Sequence, residues 1–166
     1  AYQLVSQRVG PSVVHINTNS QPTPSRTNRF NGSPLLPNPF PSRGQGSGVI
    51  VDRAGYIMTN RHVIEDSQEI SVKLSDGRRA PAVVVGVDEL TDLALLKVEA
   101  GDLISVEFAD SDKIDEGALV WALGSPFGLE QSITFGIVSA KHRKTRIGKV
   151  HQDFLQTDAA VNPGNS

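Results

Sequence analysis

The chain has 166 residues, 38% of them hydrophobic, enough to fill the core of one domain or of two small ones sharing an interface, and fibrous or collagen-like architectures are excluded. Sixteen basic against 18 acidic residues leave a net charge of −2, which argues against a polybasic nucleic-acid binder and against an acidic tail. The absence of cysteine removes disulfides, thiolate catalysis and Cys-based zinc or iron–sulfur sites, and leaves the compartment open. No apolar run approaches the ~18 residues a membrane span requires, and the opening residues lack a charged-then-apolar signal pattern. The expectation is a soluble chain whose targeting segment, if any, has been removed upstream.

The clearest helical pattern covers residues 2 to 9, followed by a β signal in SVVHIN at 12 to 17. Up to residue 51 the charges are Arg8, Arg26, Arg29 and Arg43 with no acid, so this part carries +4 and the remainder −6, which puts a boundary near Asp52. Residues 18 to 44 hold six prolines and two glycines without apolar periodicity and read as a long irregular loop. Phe30, Leu35, Leu36 and Phe40 would let such a loop dock, so a docked loop and a disordered insertion are both open readings.

Short β signals then follow one another: GSGVIVD, YIMTN, EISVKLS, APAVVVGV, DLALLKV, ALVWALG, SITFGIVSA and DFLQTD, rich in Val and Ile and separated by Gly, Pro, Asp or Asn. With SVVHIN they make about nine strands. Ile70, Val72 and Leu74 alternate with Ser71 and Lys73, giving one buried and one wet face, and Asp76-Gly77 is a tight-turn pair into the next strand. Helical signal is otherwise confined to the turn following Arg61, so an all-β barrel or sandwich is expected and parallel βαβ folds are disfavoured. Trp121 is expected to pack in the core of the later strands, and LGSPFGLEQ lacks the strand-to-helix context of a phosphate loop.

Without cysteine, a nucleophile would be Ser, Thr or Lys, activated most simply by one of four histidines. His15 reads as a strand residue, and His142 and His151 bracket the basic stretch KHRKTRIGKVH, where solvent exposure is expected and nucleic-acid binding is disfavoured because aromatic interleaving is absent. His62, in TNRHVI just past a strand, can be aimed into a cleft. Asp92, thirty residues on at the start of an apolar strand, can accept the Nδ1 proton of an imidazole and fix its tautomer; by itself it rates no higher than Asp88. Ser166 follows Pro-Gly-Asn, and if the N–H groups of Gly164 and Ser166 point at one place they form an oxyanion hole beside its hydroxyl. An ordinary loop serine is the plain alternative.

TNRHVI, LTDLALLKV and TDAAVNPGNS, in that order, together with GSGVIVDRAGYIMTN and ALGSPFGLEQSITFGIVSA, resemble the protease domain of the HtrA/Deg (DegP, DegQ, DegS) serine endopeptidases, from about residue 3 to the last residue. The resemblance implies a chymotrypsin-like double β-barrel: an N-terminal segment and first barrel over residues 1–105, including the loop at 18–44, and the first part of a second barrel over 106–166. It implies His62 as general base, Asp92 as its orienter and Ser166 as nucleophile, with Gly164 and Ser166 as oxyanion donors and Asn165 shaping their turn, and no metal or cofactor. It further implies unfolded, misfolded or regulatory proteins as substrates in quality control or stress response, a periplasmic or cell-envelope setting, and a trimer or higher oligomer built with the segment around Tyr2 and Leu4.

Relatives continue past the serine through Gly-Gly and further strands, and commonly carry C-terminal PDZ domains, none of which lies within these residues. A terminal carboxylate on Ser166 would oppose the developing oxyanion, and an incomplete second barrel would expose edges and lack much of the primary specificity pocket. The sequence is therefore expected to be part of a longer enzyme and inactive by itself. The competing reading is a non-cleaving module or holdase on the same scaffold.

Overall fold

The computed structural model describes residues 2–20, 42–125, 132–145 and 152–161. The chain opens with helix α1 (Tyr2–Val9) and a 3-10 turn (Gly10–Ser12), then enters β1 (Val13–Ser20). β2 (Ser42–Asp52), β3 (Tyr56–Asn60), the single-turn helix α2 (Arg61–Ile64), β4 (Glu69–Lys73), β5 (Arg79–Asp88) and β6 (Leu93–Val98) complete the first half. The second half holds a 3-10 turn (Ser111–Lys113) and strands β7 (Leu119–Gly124), β8 (Ser132–Thr145) and β9 (Gln152–Thr157). All nine strand signals of the sequence are strands, and the two helical signals are α1 and α2.

Strands β1 to β6 close into an antiparallel barrel in the order β1-β2-β3-β6-β5-β4, with β4 pairing back onto β1. Alternation along each strand aims one set of side chains inward. Val14, Ile16, Ile50, Ile57, Val72, Leu96 and Val98, all at 1% exposure or less, fill the interior. Gly48 keeps that interior closed: a Cβ there would sit 2.8 Å from Ile57 Cγ2 and 2.9 Å from Ile16 Cδ1. The expected alternation at Ile70, Val72 and Leu74 is observed. Gly77, at φ +91°, makes the Asp76-Gly77 turn, its N–H donating to the Leu74 carbonyl at 3.0 Å.

Two strands run further than their sequence signals. The β1–β2 pairing reaches Thr18↔Gly44, Asn19↔Arg43 and Ser20↔Ser42, so both ends of the Pro-rich segment expected to be loop are strand, and residues 21–41 lie outside the described residues. Propensity misses this because Ser, Asn, Arg and Gly form ladder bonds readily once the neighbouring registers are fixed. Likewise β8 continues through Lys141–Thr145, which the sequence assigned to a solvated hairpin loop, pairing Arg143 with Phe154 and Lys144 with Asp153. The exposure expected of His142 is found.

Strands β7, β8 and β9 form a second antiparallel sheet in that order. Trp121 packs on Phe135 across the β7–β8 pair, ring centroids 5.5 Å apart. The β5 run Val83, Val84, Val85 and Val87 is exposed on both faces, and the β5–β6 register shifts within it, between Val84 and Gly86.

Candidate active site

Asn60 at the end of β3 pairs with Leu93 at the start of β6, which brings the residues just beyond each strand to the same end of the barrel. Beyond β3 the chain makes the single turn α2, held down by buried Val63 and Ile64, while His62 stays open to solvent. Just before β6 stands Asp92, at φ +57°, a left-handed conformation that Asp tolerates better than most residues. His62 Nδ1 lies 2.6 Å from Asp92 Oδ2, and the His62 backbone N–H donates to Oδ1 at 3.0 Å. A carboxylate only accepts, so Nδ1 carries the hydrogen and Nε2 is the basic nitrogen.

Asp92 is fixed from behind as well. Its carbonyl accepts the Arg61 backbone N–H at 2.8 Å and the Asn60 Nδ2 hydrogen at 3.3 Å. Asn60 occupies the N-cap position of α2 but spends its side chain on Asp92 instead of on the helix, a role no sequence signal distinguishes from ordinary capping. Partial burial works to raise the Asp92 pKa; the hydrogen bonds from the His62 ring and amide, with the charges of His62 and Arg61, outweigh it and hold the carboxyl below its ordinary value. The side chains are 56% (His62) and 37% (Asp92) exposed, so water screens the pair.

The structure separates Asp92 from Asp88, which position and residue type alone left equal and the family resemblance decided for Asp92. Asp88 is consumed by its own turn, accepting from the Leu90 amide and the Thr91 hydroxyl, both at 2.9 Å, whereas Asp92 faces the imidazole. His15 is a buried strand residue as expected, and His142 pairs with Asp153 at 3.0 Å on the exposed β8–β9 surface. His151, Gly164, Asn165 and Ser166 lie outside the described residues. The segment leading toward Ser166 is described as far as Val161 and is pinned to β8: the Ile137 N–H donates to Asp158 Oδ1 and the Thr134 hydroxyl to the Ala160 carbonyl, each at 2.7 Å. Gly136 permits that contact, since a Cβ there would collide with the Asp158 carboxylate and the Ala159 amide.

A cavity of about 840 Å³ opens between the N-terminal segment, the β4–β5 turn and Leu103, and neither His62 nor Asp92 lines it. The chemistry, not the hollow, marks the candidate site. Among the described residues no cluster of three His, Asp or Glu is placed to hold a metal, and no helix is long and apolar enough to cross a bilayer.

Comparison with known proteins identifies the family and the fold. Residues 46–166 match the family described as "Trypsin-like peptidase domain". Two relatives named "Probable periplasmic serine endoprotease DegP-like", from Marinomonas sp. (strain MWYL1) and Halomonas elongata, are 42% and 51% identical over 96% and 75% of this chain. Structures of the HtrA-type protease AlgW, one with a tripeptide and one with a decapeptide, superimpose with a TM-score of 0.82 in both cases, at 36% and 38% identity over 99% and 100% of this chain. The chain belongs to the HtrA family of trypsin-like serine peptidases. Its barrel and partial second sheet are those of the chymotrypsin-like fold of its HtrA neighbours. It spans 39% and 26% of the length of the two DegP-like relatives and 48% and 54% of the AlgW chains.

Proposed function

We propose that this HtrA-family chain is the catalytic part of a serine endopeptidase in which His62 is the general base, Asp92 its orienter and Ser166 the nucleophile. The observation that carries the reading is the 2.6 Å contact of His62 Nδ1 with the Asp92 carboxylate, which also accepts the His62 backbone N–H, while the Asp92 backbone carbonyl is held by the Arg61 N–H and the Asn60 side chain. An imidazole so held presents Nε2 to take the proton of Ser166 Oγ as it attacks a peptide carbonyl, and returns that proton to the leaving amine. Water then repeats the sequence on the acyl-enzyme. The amides of Gly164 and Ser166, in a turn shaped by Asn165, stabilise the tetrahedral oxyanion.

Residues 1–105 act as one unit with the first barrel and 106–166 open the second. The substrates are unfolded, misfolded or regulatory polypeptides in quality control or stress response, the setting is the periplasm or cell envelope, and the working form is a trimer or higher oligomer. The names of the DegP-like relatives support the compartment and the family supports the chemistry. Casein degradation by the full-length protein tests the reading: it is lost in Ser166→Ala and in His62→Ala, and proteolysis surviving in either variant refutes the assignment.

A further inference from the structure

His15 is the one fully buried titratable side chain among the described residues, at 3% exposure, and the proposed reaction does not use it. It stands on β1 between Val14 and Ile16, whose side chains fill the barrel interior, so its own side chain projects from the outer face of the barrel. There Nδ1 lies 2.7 Å from the carbonyl oxygen of Ser125, the residue after β7, and Nε2 lies 3.1 Å from Asn17 Oδ1 on the same face. A carbonyl only accepts, so Nδ1 carries the hydrogen; the Asn17 amide, turned one way or the other, serves Nε2 as donor or acceptor.

Ser125 is gripped at its other backbone group too. Its N–H donates to Ser47 Oγ at 2.8 Å, and the Ser47 carbonyl accepts from Thr59 Oγ1 at 2.7 Å. Ser47, Thr59 and Ser125 are all buried. Thr59 directly precedes Asn60, which holds Asp92. The backbone of the second half, where it leaves β7, therefore has both its N–H and its C=O satisfied by side chains of the first barrel, in a network that reaches β3, the strand leading into the turn of His62.

Buried backbone groups must find partners, and these find them across the boundary between the halves. His62 and Asp92 come from the barrel, whereas Ser166 follows the second sheet, so the proposed reaction depends on how that sheet sits on the barrel. We infer that His15, assisted by Ser47, is a positioning residue that seats the second sheet and thereby sets the approach of Ser166 to His62. The inference rests on the reading of His62 and Ser166 given above.

In the full-length protein, with active sites titrated by a serine-directed fluorophosphonate, His15→Leu lowers kcat by about 10–100-fold while KM stays within about threefold, the pattern of a misaligned pair of reacting groups. His15→Asn, whose amide can donate from nearly the place of Nδ1, recovers most of the loss. A kcat for His15→Leu within about twofold of the parent overturns the inference. Should His15→Leu fail to fold, Ser47→Ala is read the same way: a kcat loss with KM held supports the seating role, and an unchanged kcat overturns it. Long-range 1H–15N correlation of the His15 ring provides a second readout, with hydrogen on Nδ1 expected and hydrogen on Nε2 alone contradicting the geometry. His62→Ala separates the two ideas: activity surviving there refutes the peptidase reading, whereas its loss beside an unchanged His15→Leu refutes the seating alone.

Discussion

Two histidine–aspartate pairs occur among the described residues, and only one of them is held by further bonds. His142 and Asp153 meet at 3.0 Å on the exposed surface of β8 and β9, each more than half exposed, with no further side-chain hydrogen bond to either among the described residues. His62 and Asp92 meet at 2.6 Å where two barrel strands end, and Asp92 additionally accepts from three neighbouring groups on Asn60, Arg61 and His62 itself. Proximity of a base and an acid is common on protein surfaces and contributes little. What distinguishes the two regions is the set of bonds that fixes both the backbone carbonyl and the carboxylate of Asp92 against the turn carrying His62.

Removing the proposed base should break the comparison most severely. His62→Ala in the full-length protein is expected to lower kcat by about 10⁴-fold or more, and Ser166→Ala by a similar factor with little addition in the double variant, because the groups act as a unit. His142→Ala should leave kcat/KM within about twofold. A large loss at His142 would mean that the exposed pair has been misjudged.

Next comes the proposed orienter. Asp92→Asn is expected to lower kcat by roughly 10⁴-fold, since an amide in place of the carboxylate no longer dictates which imidazole nitrogen carries the hydrogen. Asp153→Asn and Asp88→Asn, whose side chains serve a surface pair and a turn, should change kcat by less than about threefold. Steady-state kinetics on a peptide substrate reads all three, and equal losses at Asp88 and Asp92 would erase the distinction the structure draws between them.

Support of the two pairs differs in kind as well. Beneath His62 lies a closed barrel, and Leu96→Ala, emptying a site at 0% exposure, should cost about 2–5 kcal/mol in chemical denaturation. The second sheet is sensitive at Gly136, where an added methyl group forces Asp158 and Ala159 off β8. Gly136→Ala should therefore lower activity more than stability, because the displaced segment leads to the proposed nucleophile.

Much of this was legible in the residues. Short apolar runs between turn residues located all nine strands, and strand-end placement separated His62 from His15 and from the basic stretch holding His142. Three things were not legible. Apart from the family motif, nothing separates Asp88 from Asp92, which are chemically identical and four residues apart; physically, the β3–β6 register brings Asp92 to the imidazole. Asn60 looks like a helix cap. The bonds of His15 and Ser47 to Ser125 span 110 and 78 residues, and no local pattern encodes a contact across that distance.

The smallest expected effect concerns pH. Asp92 has its carboxyl pKa lowered in the folded state from the ordinary value of about 3.8, so its ionised form is the one that folding stabilises. The corresponding stability is fully present above about 3.8 and is lost as pH falls through the lower, folded-state value. With more than a third of the side chain exposed, the contribution is screened to about 1 kcal/mol or less. Asp92→Asn abolishes the titration, so the stability gap between parent and variant should be constant at neutral pH and narrow only in strongly acidic solution. A gap that closed instead between about pH 5 and 8, where histidine ordinarily titrates, would show that the charge of His62 and not that of Asp92 governs the pair.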